Sequence, residues 1–165
     1  MFVRAKTIKG QKYAYLVKNT WKKGKVSQET KKYLGRIIPL LDSNPSFIPN
    51  KIDFNFSLKE CMLLLLKNEF YSRGFINHSR QNALVFDNII INFSTNKILK
   101  DDKNIVLFLN NRYFYSDSFK DLISFFRPEV EDDVKGQKLA QAFSDAGISI
   151  SKEDFVGLYH KIYSK

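Results

Sequence analysis

Eleven of the first 37 side chains are cationic and one, Glu29, is anionic, and this imbalance limits what the segment can become. Nine are lysines (6, 9, 12, 18, 22, 23, 25, 31 and 32) and two are arginines (4 and 36). A stretch this charged cannot enclose a core of its own. Its apolar residues do, however, alternate: Tyr13, Tyr15 and Val17 fall on one side of an extended chain, Ala14 and Leu16 on the other. Phe2 to Ile8 reads as one strand closed by Gly10, Lys12 to Lys18 as a second, and Val26 to Ile37 as a third. Gly24 supplies positive φ at the turn between the last two. The expectation is a three-stranded antiparallel meander. A sheet so small is marginal alone and should rest one face on the remainder of the chain.

That remainder is different in kind. The sequence holds 27 basic and 17 acidic side chains, so residues 38–165 carry 16 of each and no net charge. The whole formal excess of +10 lies in less than a quarter of the chain. A concentrated positive field attracts phosphate polyanions and raises encounter rates. The whole chain is 44% hydrophobic, with fifteen Phe and eight Tyr, and fourteen of the Phe lie beyond residue 37, so the rest can form a sizeable core.

The division expected is a basic module over 1–37, a linker over 38–51 and a neutral α+β body over 52–165. Pro39, Pro45 and Pro49 mark the linker, and Leu40, Leu41, Phe47 and Ile48 hold it against the surface. In the body, Ser57 and Glu60 form a capping pattern for a helix running through Phe70 to a stop near Gly74. Strands follow at 83–86, 89–93, 105–109 and 112–115, with Asp87-Asn88 and Asn110-Asn111 as tight turns. They make a four-stranded antiparallel sheet, and Asp101-Asp102 reads as a further hairpin turn. A short helix capped by Ser116 or Asp117 ends near Phe126, before helices over about 132–146 and 152–163, the last capped by Ser151. The apolar stripes of these two helices (Leu139, Ala142, Phe143, Ala146; Phe155, Leu158, Tyr159, Ile162) close the core, or else dock a partner or a second copy.

The catalytic inventory is empty. His78 and His160 stand alone, Cys61 lies in a helical apolar pattern, and no metal-ligand spacing, nucleophile elbow or phosphate loop occurs. The acidic residues Glu129, Glu131, Asp132 and Asp133 precede a helix, where they complement its dipole. No metal or cofactor is expected. The longest apolar run, Met62 to Leu66, is far short of the ~20 residues needed to span a bilayer. Arg4, Lys6, Lys9 and Lys12 interrupt any signal-peptide core, so the expected compartment is the cytoplasm, with no membrane partner.

Three pieces of the basic segment recur together in one known family. Tyr13-Ala14-Tyr15-Leu16-Val17, then Gly24-Lys25-Val26-Ser27-Gln28, then Lys32-Tyr33-Leu34-Gly35-Arg36-Ile37 resemble, in order and spacing, the start of a group of insertion-sequence DDE transposases. Those proteins open with a Tyr-rich strand, a Gly-Lys-Val-x-Gln turn and a Tyr-Leu-Gly-Arg close. The resemblance covers the first 37 residues and implies DNA contact by the hairpin. It does not imply transposition, because no carboxylate triad for two metal ions can be placed on residues 38–165.

Independently, basic side chains along strands can follow a phosphate backbone, with counterion release driving binding. The expected reading is therefore non-catalytic binding of nucleic acid, DNA before RNA. Arg4, Lys6, Lys9, Lys12, Lys18, Lys22, Lys23, Lys25, Lys31, Lys32 and Arg36 would contact phosphates, and Trp21 with Tyr13, Tyr15 and Tyr33 would stack. The alternatives are an RNA- or ribosome-associated protein and an adaptor whose C-terminal helices hold a protein partner.

Overall fold

The structure is a computed structural model that describes residues 1–22, 24–124 and 132–163. The expected meander is present as β1 (Phe2–Ile8), β2 (Gln11–Lys22) and β3 (Lys25–Pro39). Lys9 and Gly10 both take positive φ (49° and 77°), the geometry that matches a two-residue hairpin to the twist of its strands. Helix α1 (Leu58–Tyr71) begins at the capping box read from the sequence. The Ser57 hydroxyl accepts the Glu60 N–H at 3.3 Å, and the Glu60 carboxylate accepts the Ser57 N–H at 2.8 Å. The hydrogen bond from the Ser57 side chain holds the Glu60 carboxyl below its ordinary pKa.

The four strands expected in the body are β5 (Ala83–Phe86), β6 (Ile89–Asn92), β8 (Lys103–Leu109) and β9 (Arg112–Phe114). Two more join them, β4 (Ile76–Asn77) and β7 (Lys97–Lys100). Both are too short, or too polar at their ends, to stand out as alternating runs. Asp87-Asn88, Asp101-Asp102 and Asn110-Asn111 all adopt positive φ at paired turn positions, as the two-residue turns require. Helices α2 (Ser116–Ser124), α3 (Asp132–Ala146) and α4 (Lys152–Tyr163) complete the chain. Ser151 caps α4 by accepting the Asp154 N–H at 3.0 Å. For α2 the boundary falls one residue earlier than expected. Tyr115, not Ser116 or Asp117, accepts the first helical hydrogen bond from Phe119, and the Ser118 hydroxyl accepts the Tyr115 N–H. Of the acidic run, residues 129 and 131 lie outside the described residues. Among the described residues no helix is long and apolar enough to cross a membrane.

All nine strands belong to one sheet, in the order β1-β2-β3-β8-β7-β6-β5-β4 with β9 also on β8. The join is β3 against β8, parallel, from Arg36 opposite Ile105 to Pro39 opposite Phe108. The boundary expected after residue 37 therefore falls inside a strand. Residues 40–51 then lie against the body: Asn44 N–H donates to the Ser72 carbonyl at 2.7 Å, and Asn50 and Asn68 hydrogen-bond to each other.

Strand β8 is apolar on both faces. Ile105, Leu107 and Leu109 enter the main core with Met62, Leu66 and Phe70 of α1. Leu139, Phe143 and Ala146 of α3 and Leu158 of α4 are buried in that same core, with Ala142, Phe155 and Ile162 packed partly buried against it, whereas Tyr159 of the expected α4 stripe is exposed. Val106 and Phe108 point the other way, into a second, smaller cluster with Val3, Ala14, Leu16, Leu34 and Ile37 of the meander. The meander thus bends back and lays one face on the body.

Two local features let β3 make that bend. Its register against β2 slips twice, leaving Lys31 and Leu34 each without an opposite residue, and such bulges bend and twist a strand. Gly35 follows at φ 131°, where an added Cβ would stand 2.3 Å from the Asn104 carbonyl oxygen. In the motif Tyr33-Leu34-Gly35-Arg36, Leu34 is buried and Gly35 permits the close approach of β3 to β8. Gly35→Ala is expected to destabilise the protein by more than about 1 kcal/mol in urea unfolding, because neither the dihedral nor the space suits a side chain. Wild-type stability in that variant would contradict the reading.

The far end of the body is fixed by a buried ion pair. Arg73 and Glu69, one helical turn apart and both nearly inaccessible, meet at 2.7 Å. Arg73 also donates to the Leu41 carbonyl at 2.5 Å and to Asn110 Oδ1 at 2.9 Å, while Glu69 accepts the Ser149 N–H at 3.2 Å. The pair thus joins four separate chain segments. Arg73→Met leaves the carboxylate buried without its cation, an expected loss of about 3–5 kcal/mol. A loss below about 1 kcal/mol, typical of an exposed pair, would refute that role.

Candidate nucleic-acid interface

Strand pairing sorts the basic residues by face, because directly opposed residues of an antiparallel pair point to the same side. Arg4 opposes Tyr15, Lys6 opposes Tyr13, Tyr15 opposes Tyr33, and Tyr13 opposes Arg36. Ala5 opposes Ala14 and Val3 opposes Leu16 on the other side, which is the side packed on the body. Arg4, Lys6 and Arg36 and all three candidate tyrosines therefore share the outer face.

The tyrosines form a cluster. Tyr33 lies 5.4 Å from Tyr15 and 6.3 Å from Tyr13 between ring centroids, both pairs tilted. Lys6 Nζ sits 4.9 Å from the centre of the Tyr15 ring, a cation–π geometry. Arg4 reaches across β2 to donate to the Gln28 side chain. Tyr13 and Tyr15 are half-buried, whereas Tyr33 is 54% exposed. Partial desolvation, reinforced by the neighbouring Tyr13 and Tyr15 phenols, raises the Tyr33 pKa above its ordinary value. In an alkaline titration followed by ultraviolet difference spectroscopy, Tyr33→Phe should remove part of the late-ionising tyrosine signal. An unchanged late phase would show that Tyr33 ionises as an isolated phenol.

Beyond this cluster the hairpin projects. β1 pairs with β2 only as far as Val17, and β8 pairs with β3 only from Arg36. Lys18 to Lys22 and Lys25 to Glu29 therefore pair only with each other. The result is a two-stranded arm about 13 Å long at the usual rise per residue. Its register divides it chemically. Lys18 and Thr20 share one side with Lys25, Ser27 and Glu29, and Asn19 and Trp21 share the other with Val26 and Gln28. Trp21 is 76% exposed, opposite Val26, itself 52% exposed.

The remaining candidates divide. Lys9 is exposed in the β1–β2 turn, and Lys12, also exposed, opposes Thr7 on the side away from the tyrosines. Lys23 lies outside the described residues. Two lysines are already engaged: Lys31 pairs with Glu29 at 2.6 Å and Lys32 with Asp117 of α2 at 2.6 Å. The second pair helps seat β3 on the body. Lys18 and Lys25 are thus borne on the arm and Arg4, Lys6 and Arg36 on the outer face, with Lys9 and Lys12 apart from both and Lys32 turned toward its own protein.

Residues of the body add to the site in a way the sequence did not reveal. A hollow of about 350 Å³ beside the cluster is lined by Gln11, Tyr13, Tyr33 and Arg36 from the meander and by Lys100 and Lys103 from the β7–β8 hairpin. Tyr33 also borders a smaller hollow of about 160 Å³, lined among others by Lys97, Lys120 and Asp117. Among the described residues no carboxylate lies within 4.0 Å of the Lys97, Lys103 or Lys120 ammonium groups, whereas Lys100 pairs with Asp87 at 2.8 Å. A body that is neutral in sum gave no signal that its lysines collect here. Comparison with protein-family models, with curated proteins and with solved structures finds no match.

Proposed function

We propose that this protein binds nucleic acid without performing chemistry on it, and that duplex DNA is the form its arm engages. The observation that carries this reading is the projecting two-stranded arm, basic on one side, with Trp21 uncovered on the other. A two-stranded β-ribbon fits the major groove of B-form DNA, whereas the major groove of A-form RNA is too narrow for side chains to read. The outer-face cations Arg4, Lys6 and Arg36 lie on the side of the sheet that Trp21 continues, so both sides of the meander carry positive charge. The likeness of residues 1–37 to the opening of insertion-sequence transposases supports the same preference.

Affinity on this reading is chiefly electrostatic, so it falls steeply with salt. Lys22, Lys23 and Lys25 contact phosphates, and Trp21 packs on a sugar or base. Replacing the three lysines by glutamate is expected to lower the affinity for duplex DNA by orders of magnitude in mobility-shift titrations. It should also flatten the dependence of log K on log salt by about 0.9 for each contact removed. Unchanged affinity and slope would overturn the proposal. Tighter binding to structured RNA than to duplex DNA at matched salt would favour the RNA reading.

A further inference from the structure

Tyr33 is placed unlike an ordinary surface tyrosine. Its ring is held by two cross-strand aromatic neighbours, neither stacked parallel to it, and more than half of the residue remains uncovered. Lys6 already lies over Tyr15, so within the cluster Tyr33 has the most ring surface left open. Beside it lies the 350 Å³ hollow, near the lower end of the range found for small-ligand sites. Arg36 and Lys103 flank that hollow from the meander and from the body, and its one carboxylate is Asp101 at the β7–β8 turn. The site therefore spans both parts of the molecule, and it can exist only because β3 is joined to β8.

An aromatic platform with a cation on either side suits a nucleobase and its flanking phosphates. A base inside a duplex is stacked on both faces and cannot lie on a side-chain ring, whereas an unpaired base can. We propose that this hollow holds an unpaired DNA base stacked on Tyr33, with the neighbouring phosphates on Arg36 and Lys103, so that the protein prefers a duplex that ends in a single strand. The inference rests on the nucleic-acid reading above. It assigns the arm to the duplex, the Tyr33 hollow to the strand that leaves it, and a binding role to the otherwise neutral body.

The test is fluorescence anisotropy with the full chain, at one fixed salt concentration, on a blunt duplex and on the same duplex with a single-stranded tail. The wild type is expected to bind the tailed form about 5- to 150-fold more tightly, the range that stacking of one base on an aromatic side chain supplies. Tyr33→Leu should abolish that advantage and Lys103→Gln reduce it, read in each variant as the ratio of tailed-duplex to blunt-duplex affinity. Tyr33→Phe, which keeps the ring, should retain the advantage. Lys103 lies on an exposed hairpin, so its variant tests the site even if Tyr33→Leu folds poorly. Equal binding of the two DNAs by the wild type, or a full tail advantage in both Tyr33→Leu and Lys103→Gln, would overturn the proposal while leaving duplex binding by the arm standing. Failure of the wild type to bind either DNA would overturn both readings.

Discussion

The molecule turns on one strand that is apolar on both faces. Ile105, Leu107 and Leu109 of β8 close the main core under the helices, and Val106 and Phe108 close the smaller one under the meander. Because successive side chains of a strand alternate between faces, the five residues from Ile105 to Leu109 serve two cores at once. Removing that double role would leave the basic meander as three strands with no wall behind them, too few to hold their shape in water. The same strand accepts β3 in parallel, which aligns Arg36 with Ile105 and brings the tyrosine cluster beside the body's lysines.

The charge distribution follows from this arrangement. A chain with eleven cations in a short sheet must face most of them outward, since the inward face is taken by Val3, Ala14, Leu16 and Ile37. Lys32 is inward, on the face opposite the tyrosines, and it meets Asp117 there. Arg4, Lys6 and Arg36 lie on the tyrosine face, and Lys18 and Lys25 on the projecting arm. Positive potential and exposed aromatic surface thus occur together, which is the combination that contacts to phosphates and bases require.

What could be read from the residues was local. Ser57 and Glu60 three apart marked the start of α1, Asp-Asn and Asn-Asn pairs marked hairpins, and alternation in Tyr13 to Val17 marked β2. The long-range features left no such trace. A parallel pairing between residues almost 70 apart depends on both segments being apolar, and many segments here are. The two bulges in β3 look like ordinary strand residues, and only the backbone shows why Gly35 interrupts them. Lysines 97, 103 and 120 are unremarkable in a neutral stretch until the fold sets them around Tyr33.

The central claim is that the arm and the outer tyrosine face together form the surface that meets DNA. Amide hydrogen exchange of the full chain, with and without a tailed duplex, tests it directly. The account predicts that bound DNA slows exchange across residues 18–36 and the β7–β8 hairpin and leaves α4 unchanged. Protection gathered on α3 and α4, with the arm exchanging as in the free protein, would contradict it.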